Sequence, residues 1–118
     1  MTESNEPMQI DYIEFPARDL AAMKAFYGDA FGWSFKDYGD AYVEFRDGRL
    51  AGGFARTDER PRGEGTLAIL RTDDLEAMRD RIVSLGGRIV REIFAFPGGR
   101  RFHFADPSGN VLGVWSDK

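Results

Sequence analysis

Three side chains join a titratable group to a strand-like setting. Glu14 lies in YIEF (12–15), Glu44 in YVEF (42–45), and His103, the only histidine, in RFHFA (101–105). A carboxylate withdrawn from water has a raised pKa and serves as a general base. A lone imidazole can be an acid, a base or a hydrogen-bond donor, but one histidine is not a metal site. Glu14 and His103 are therefore the candidate catalytic residues, and proton transfer is the chemistry they offer. Arg100 and Arg101 follow Gly98-Gly99, where they could hold an anion or simply flank a solvated turn. Two motif-like stretches carry no such promise. GEGTLA (63–68) leads into a strand, whereas a phosphate cradle opens a helix. ADPSG (105–109) is turn chemistry, and Ser108 has no placed histidine and aspartate partners.

The elements that must position these groups come in two copies. ARDLAAM (17–23) recurs as TDDLEAM (72–78), and both open amphipathic helices. Leu20, Met23, Tyr27 and Ala30 recur at helical spacing in the first; Leu75, Met78, Ile82 and Leu85 do so in the second. Asp19 and Asp74 suit the N-caps, and Gly32 and Gly86-Gly87 the left-handed exits. YIEF before the first helix answers LAIL (67–70) before the second. Strand-like runs follow each helix, broken by Asp47-Gly48 in one half and by Pro97-Gly98-Gly99 and Pro107-Ser108-Gly109 in the other. The number of strands between residues 88 and 105 stays open. Aligning Gly48 with Gly109 sets Gly52 against Gly113. The fold class is α+β: two tandem βαβββ modules, about 8–56 and 64–116, forming a cupped mixed sheet with helices on its outer face.

A chain of 118 residues, 42% hydrophobic and 31% charged, fits a single domain over 8–118 behind a flexible lead-in at 1–7. MTESNEPM lacks the basic start and apolar run of a signal peptide, and no apolar stretch approaches a membrane span. Absence of cysteine removes disulfides, thiolate metal sites and cysteine nucleophiles, and suits a cytoplasmic protein. A net charge of −4, with basic residues dispersed among acids as in RTDERPRGE (56–64), argues against nucleic acid as a partner.

DYIEFPARDLAAMKAFYGDAFGW (11–33), the TDDLEAM helix with LGG, and FADPSGNVLGVW (104–115) together resemble the vicinal oxygen chelate superfamily. That superfamily holds glyoxalase I, bleomycin-resistance proteins, fosfomycin-resistance enzymes and extradiol dioxygenases. In its metal-dependent members, histidines or glutamates come from the first and last strand of each half. The resemblance places those positions at Tyr12, Leu67 (or Thr66), Gly52 and Gly113. Leucine and glycine are not donors, so the resemblance comes without the usual metal ligands and no cofactor is expected. Members commonly pair their modules across chains, which implies a homodimer.

Strand alternation assigns the rest. Ile13 and Phe15 should face the helix, leaving Tyr12 and Glu14 toward the cup. By parity Leu67, Ile69, Val111, Gly113 and Trp115 join them, and glycines at 52 and 113 should widen the floor. In the resembled fold the first strand is central, which favours Glu14 over Glu44. Ligand-binding candidates are Tyr12, Tyr42, Glu44, Phe54, Leu67, Ile69 and Trp115, an aromatic lining suited to a flat or apolar molecule. The expected function is binding of a small aromatic or amphipathic molecule. The alternatives are a metal-independent isomerase- or lyase-like enzyme using Glu14 or His103, and a metal-dependent glyoxalase or dioxygenase.

Overall fold

The computed structural model describes residues 10, 12–59 and 66–118. The lead-in at 1–7, the module boundaries near 8 and 64, and the 60–64 part of the basic-acidic stretch lie outside the described residues. The chain divides into two compact units, residues 1–60 and 61–118.

The first unit runs β1 (Tyr12–Ala17), α1 (Leu20–Phe31), β2 (Ser34–Asp37), β3 (Tyr42–Arg46) and β4 (Ala51–Arg56). Its strands form one four-stranded sheet ordered β1-β4-β3-β2, with β1 parallel to β4 and the other pairs antiparallel. The Asp19 side chain caps α1 by accepting from Ala22 N at 3.0 Å, and Gly32 ends it in the left-handed region at φ 75°. Met23, Phe26, Tyr27 and Ala30 bury the helix stripe. Its core is aromatic: Tyr27 stacks on Trp33 with centroids 4.6 Å apart, Trp33 on Phe45 at 4.6 Å, and Phe45 on Phe54 at 5.0 Å.

The second unit repeats the order with β5 (Ile69–Arg71), α2 (Leu75–Ser84), β6 (Arg88–Phe96), β7 (Gly99–Ala105) and β8 (Val111–Ser116). Its sheet is ordered β5-β8-β7-β6, again with one parallel pair. Asp74 caps α2 by accepting from Ala77 N at 3.1 Å. Here the core is mostly aliphatic: Leu75, Ile82, Leu112 and Val114 around Phe102 and Phe104. The open strand count resolves to three after the helix, because residues 88–96 form one strand. Its register shifts twice, between Ile89 and Arg91 and between Arg91 and Phe94. The FADPSGN turn satisfies itself: Asp106 accepts from Ser108 N, Asn110 N and Asn110 Nδ2 at 2.9–3.0 Å. Among the described residues no helix is long and apolar enough to cross a membrane.

The two copies are not in register in their last hairpins. Asp47 N bonds Leu50 O, whereas Asp106 N bonds Asn110 O, so the second loop is one residue longer. Ile13 pairs with Gly52 and Glu14 with Gly53, while Ile69 pairs with Gly113. Glu14 and Ile69 hold the same place before their helices, so Gly53, not Gly52, answers Gly113. A one-residue slip moves a strand's whole set to the other face. The expected cup position Gly52 is corrected accordingly: it lies on the helix face. A Cβ there would sit 2.3 Å from Ile13 O and against Phe45 Cζ, so close packing of backbone and ring holds the position to glycine.

Candidate functional site

In each unit one sheet face is covered by the helix, and chemistry is confined to the other. In the first unit the open face carries Tyr12 and Glu14 from β1, Gly53 from β4, and Tyr42, Glu44 and Arg46 from β3. Glu14, Gly53 and Glu44 stand in one cross-strand row. The space over Gly53 is filled. A Cβ there would lie 1.9 Å from the Tyr42 hydroxyl, because the Tyr42 ring crosses the glycine to reach β1. The Tyr12 and Tyr42 hydroxyls share a hydrogen bond of 2.6 Å. Tyr42 also bonds Glu14. A carboxylate only accepts, so Tyr42 donates to Glu14 and Tyr12 donates to Tyr42. Burial first, then the bonds to Tyr12 and Glu14, hold the Tyr42 phenol well above the ordinary range. Tyr12 is 44% exposed and Glu14 is exposed, so this chain of hydroxyls ends on an accessible carboxylate.

Beside it, Glu44 is half-buried. It pairs with Arg46 at 2.9 Å and accepts from the Tyr38 hydroxyl at 3.3 Å. Lys36 lies over the Tyr38 ring at 5.2 Å. These side chains, with Ser34 and Phe35, line an open depression of about 170 Å³. The sequence reading named neither Tyr38 nor Arg46.

In the second unit the open face carries Ile69, Gly113, His103 and Trp115. Phe102 and Phe104 are fully buried on the helix side, so His103 faces away from them as alternation predicts. Gly113 is closely flanked, since a Cβ would meet His103 Cδ2 at 3.3 Å and Ile69 Cγ1 at 3.4 Å. Phe94 meets the His103 ring edge-on with centroids 5.7 Å apart. Arg91 stacks over Phe94 at 3.6 Å, and Arg101 lies 5.2 Å from Phe94 and 5.3 Å from Phe96. Phe96 meets Trp115 at 6.3 Å. Burial, reinforced by Arg101 and Arg91, pushes the His103 imidazole below its ordinary range.

Several expectations need correction. Phe54 does not line a cup: it is 0% exposed and packs among Tyr27, Phe15 and Phe45, because its pairing partner is Phe15, not Glu14. Gly53 does not widen a floor, since Tyr42 closes over it, and Gly113 is closely flanked by His103 and Ile69. Glu14 lies in the first unit and His103 in the second. Tyr12 and Tyr42 do meet. Glu44 and Trp115 are half-buried on open faces, Ile69 is 43% exposed, and Leu67 is half-buried just before β5. Of the arginine pair, Arg100 turns to the helix side, where it binds Glu76 at 2.5 Å and Lys118 O at 3.0 Å. Arg101 points the other way. Arg91, Phe94 and Phe96 escaped the sequence reading because the bulges in β6 destroy its alternation.

The donor set decides whether a metal of the kind the fold family uses would fit. With register corrected, the equivalent positions are Tyr12, Gly53, Leu67 and Gly113. A phenol committed to Tyr42, two glycines and a leucine do not make a coordination shell. Among the described residues no three His, Cys, Asp or Glu side chains gather to hold an ion. The residues present do not fit the metal.

The chain is 30% identical to the anthracycline biosynthesis protein DnrV of Streptomyces peucetius, over 88% of this chain and 45% of that one. It thus spans less than half the length of that relative. Its fold matches a mutant of the fosfomycin resistance protein FosX from Listeria monocytogenes, in complex with Mn(II) and 1S,2S-dihydroxypropylphosphonic acid. The TM-score is 0.80 at 18% identity, covering 93% of this chain and 90% of that one. It also matches lactoylglutathione lyase from Agrobacterium tumefaciens, with a TM-score of 0.71 at 23% identity over 93% and 94%. At these identities the two structures share the fold alone. The family model of the Glyoxalase/Bleomycin resistance protein/Dioxygenase superfamily matches residues 9–114, and the chain belongs to that superfamily.

Proposed function

We propose that this protein binds a small aromatic or amphipathic molecule on its open sheet faces without a metal. The observation that carries this reading is the filling of the Gly53 position and the lack of a donor at Gly113. Tyr42 occupies the place over Gly53, and His103 and Ile69 close on Gly113, where a metal-dependent relative would project a ligand. Exposed or half-buried rings then supply the contact surface: Tyr12 and Tyr42 in one unit, Phe94, Phe96 and Trp115 in the other. Similarity to a protein of anthracycline biosynthesis points to flat polycyclic molecules as the first ligands to test. The protein acts as a homodimer in this proposal, checked by light scattering on the eluting species. Calorimetric titration with a neutral hydroxyanthraquinone, in the presence of a chelator, tests the binding. Saturable binding with no change in the ligand supports the reading; no binding across a panel of flat aromatics overturns it.

A second reading rests on the Tyr12–Tyr42–Glu14 chain, which can pass a proton to an accessible carboxylate. It makes the protein a metal-independent isomerase- or lyase-like enzyme with Glu14 or His103 as the base. Glu14→Gln and His103→Ala should then each abolish turnover of any converted ligand; full retention in both removes this reading. A metal-dependent glyoxalase or dioxygenase would require tightly bound Ni, Zn or Fe held by other donors.

A further inference from the structure

The chain is acidic overall, with 20 Asp and Glu against 16 Lys and Arg. The open face of β6, β7 and β8 runs against that balance. It carries Arg91, Arg101 and His103, and no Asp or Glu: Glu92, the one acid on these strands, turns to Arg79 on the helix side at 2.6 Å. Among the described residues neither Arg91 nor Arg101 has a carboxylate partner, whereas Arg71, Arg79 and Arg100 each do. Two polar atoms of this cluster, Arg101 Nε and His103 Nε2, are buried without a hydrogen-bond partner. Buried polar groups are normally paired, so two orphans on one face point to a partner that this face does not itself supply. The arginines are also held ready. Arg91 Cζ lies over the Phe94 ring, 3.6 Å from its centroid, and Arg101 Cζ lies 5.2 Å from Phe94 and 5.3 Å from Phe96. Such stacking fixes a guanidinium through its face and leaves its N–H edge for an anion.

We propose that this face binds a flat aromatic anion, with Arg91 and Arg101 holding the charged group, His103 Nε2 meeting it, and Phe94, Phe96 and Trp115 packing against the ring. The assignment rests on the aromatic-binding function above and narrows it to one unit and one charge class. Arg91 and Arg101 bind the anion through their N–H edges.

Calorimetric titration of the full chain with 2-naphthoate and its neutral counterpart 2-naphthamide tests it. The naphthoate should bind at least about tenfold tighter, a factor worth about 1.4 kcal/mol. Arg101→Gln and Arg91→Gln should each remove most of that preference while leaving naphthamide affinity within about twofold. Arg91 is exposed, so its variant keeps the test valid if the Arg101 variant folds poorly. Arg56→Gln, in the other unit, should change nothing. Equal affinity for the two probes, or a preference that survives both variants, overturns the anion site and leaves aromatic binding standing. Failure of both probes to bind overturns the anion site, and the aromatic-binding reading falls with it only if the whole panel of flat aromatics also fails to bind.

Discussion

The two units share one topology and differ in everything their open faces offer. In the first, the row Glu14, Gly53, Glu44 is roofed by a phenol, and the polar groups satisfy one another: Tyr12 to Tyr42 to Glu14, Arg46 to Glu44. In the second, Ile69, Gly113 and His103 occupy the matching row, and two arginines stand without a carboxylate partner beside Phe94 and Phe96. The first face satisfies its own polar groups; the second has unmet hydrogen-bonding capacity. The same scaffold thus holds a finished network in one copy and an unfinished one in the other. Binding capacity follows what is left unpaired, not the fold.

Cores and faces separate most sharply at Phe54. Its truncation to Ala should cost about 3–5 kcal/mol of stability, read by denaturant unfolding, as expected for a buried aromatic. Binding of a naphthyl probe by the folded fraction should be unchanged. A loss of binding without loss of stability would return Phe54 to the ligand surface.

The glycines test the difference between the faces directly. Gly53→Ala must expel Tyr42 and should cost about 1–3 kcal/mol, the range for overpacking. Gly113→Ala meets only side-chain atoms at 3.3–3.4 Å and the Phe102 carbonyl oxygen at 3.5 Å, and should cost less than about 1 kcal/mol. Equal costs would mean that Tyr42 does not lie where the structure has it. Tyr42→Phe removes one member of the hydroxyl chain on a half-exposed face, for about 0.5–1.5 kcal/mol.

The smallest effect concerns pH. His103 has a folded pKa below its unfolded value near 6.5, so the folded state binds fewer protons. Its contribution is complete above that unfolded value and is lost as pH falls below it. The thermal midpoint of the native protein should therefore drop more between pH 7.5 and 5.5 than that of His103→Gln. The groups facing this imidazole are Arg91 on β6 and Arg101 on β7, with Gly113 and Ile69 beside it. The carboxylates of Asp73, Glu76 and Glu92 are held below their usual range by Lys118, Arg100 and Arg79 respectively, so their loss falls at lower pH.

Much of this fold is legible in the sequence. The paired helix starts, the aspartate caps and the glycine exits are local signals, and each forms where its chemistry suggests. The outward turn of His103 follows from alternation in the regular strand β7. The site was less legible wherever one residue was gained or lost. A shorter loop after Asp47 exchanges Gly52 for Gly53 and sends Phe54 to the core. Two bulges in β6 bring Arg91 and Phe94, three apart in sequence, onto one face. The covering of Gly53 by Tyr42 depends on how a ring on one strand crosses to another, which no single strand records.

The account turns on whether the filled glycine positions leave a metal centre. Elemental analysis of the 118-residue chain, purified without chelator or affinity metal, measures this most directly. The account predicts transition metal far below one equivalent per chain, and no gain after dialysis against Mn, Ni or Zn. A tightly held equivalent near one per chain would contradict it, because Tyr12, Gly53, Leu67 and Gly113 could not be holding that ion.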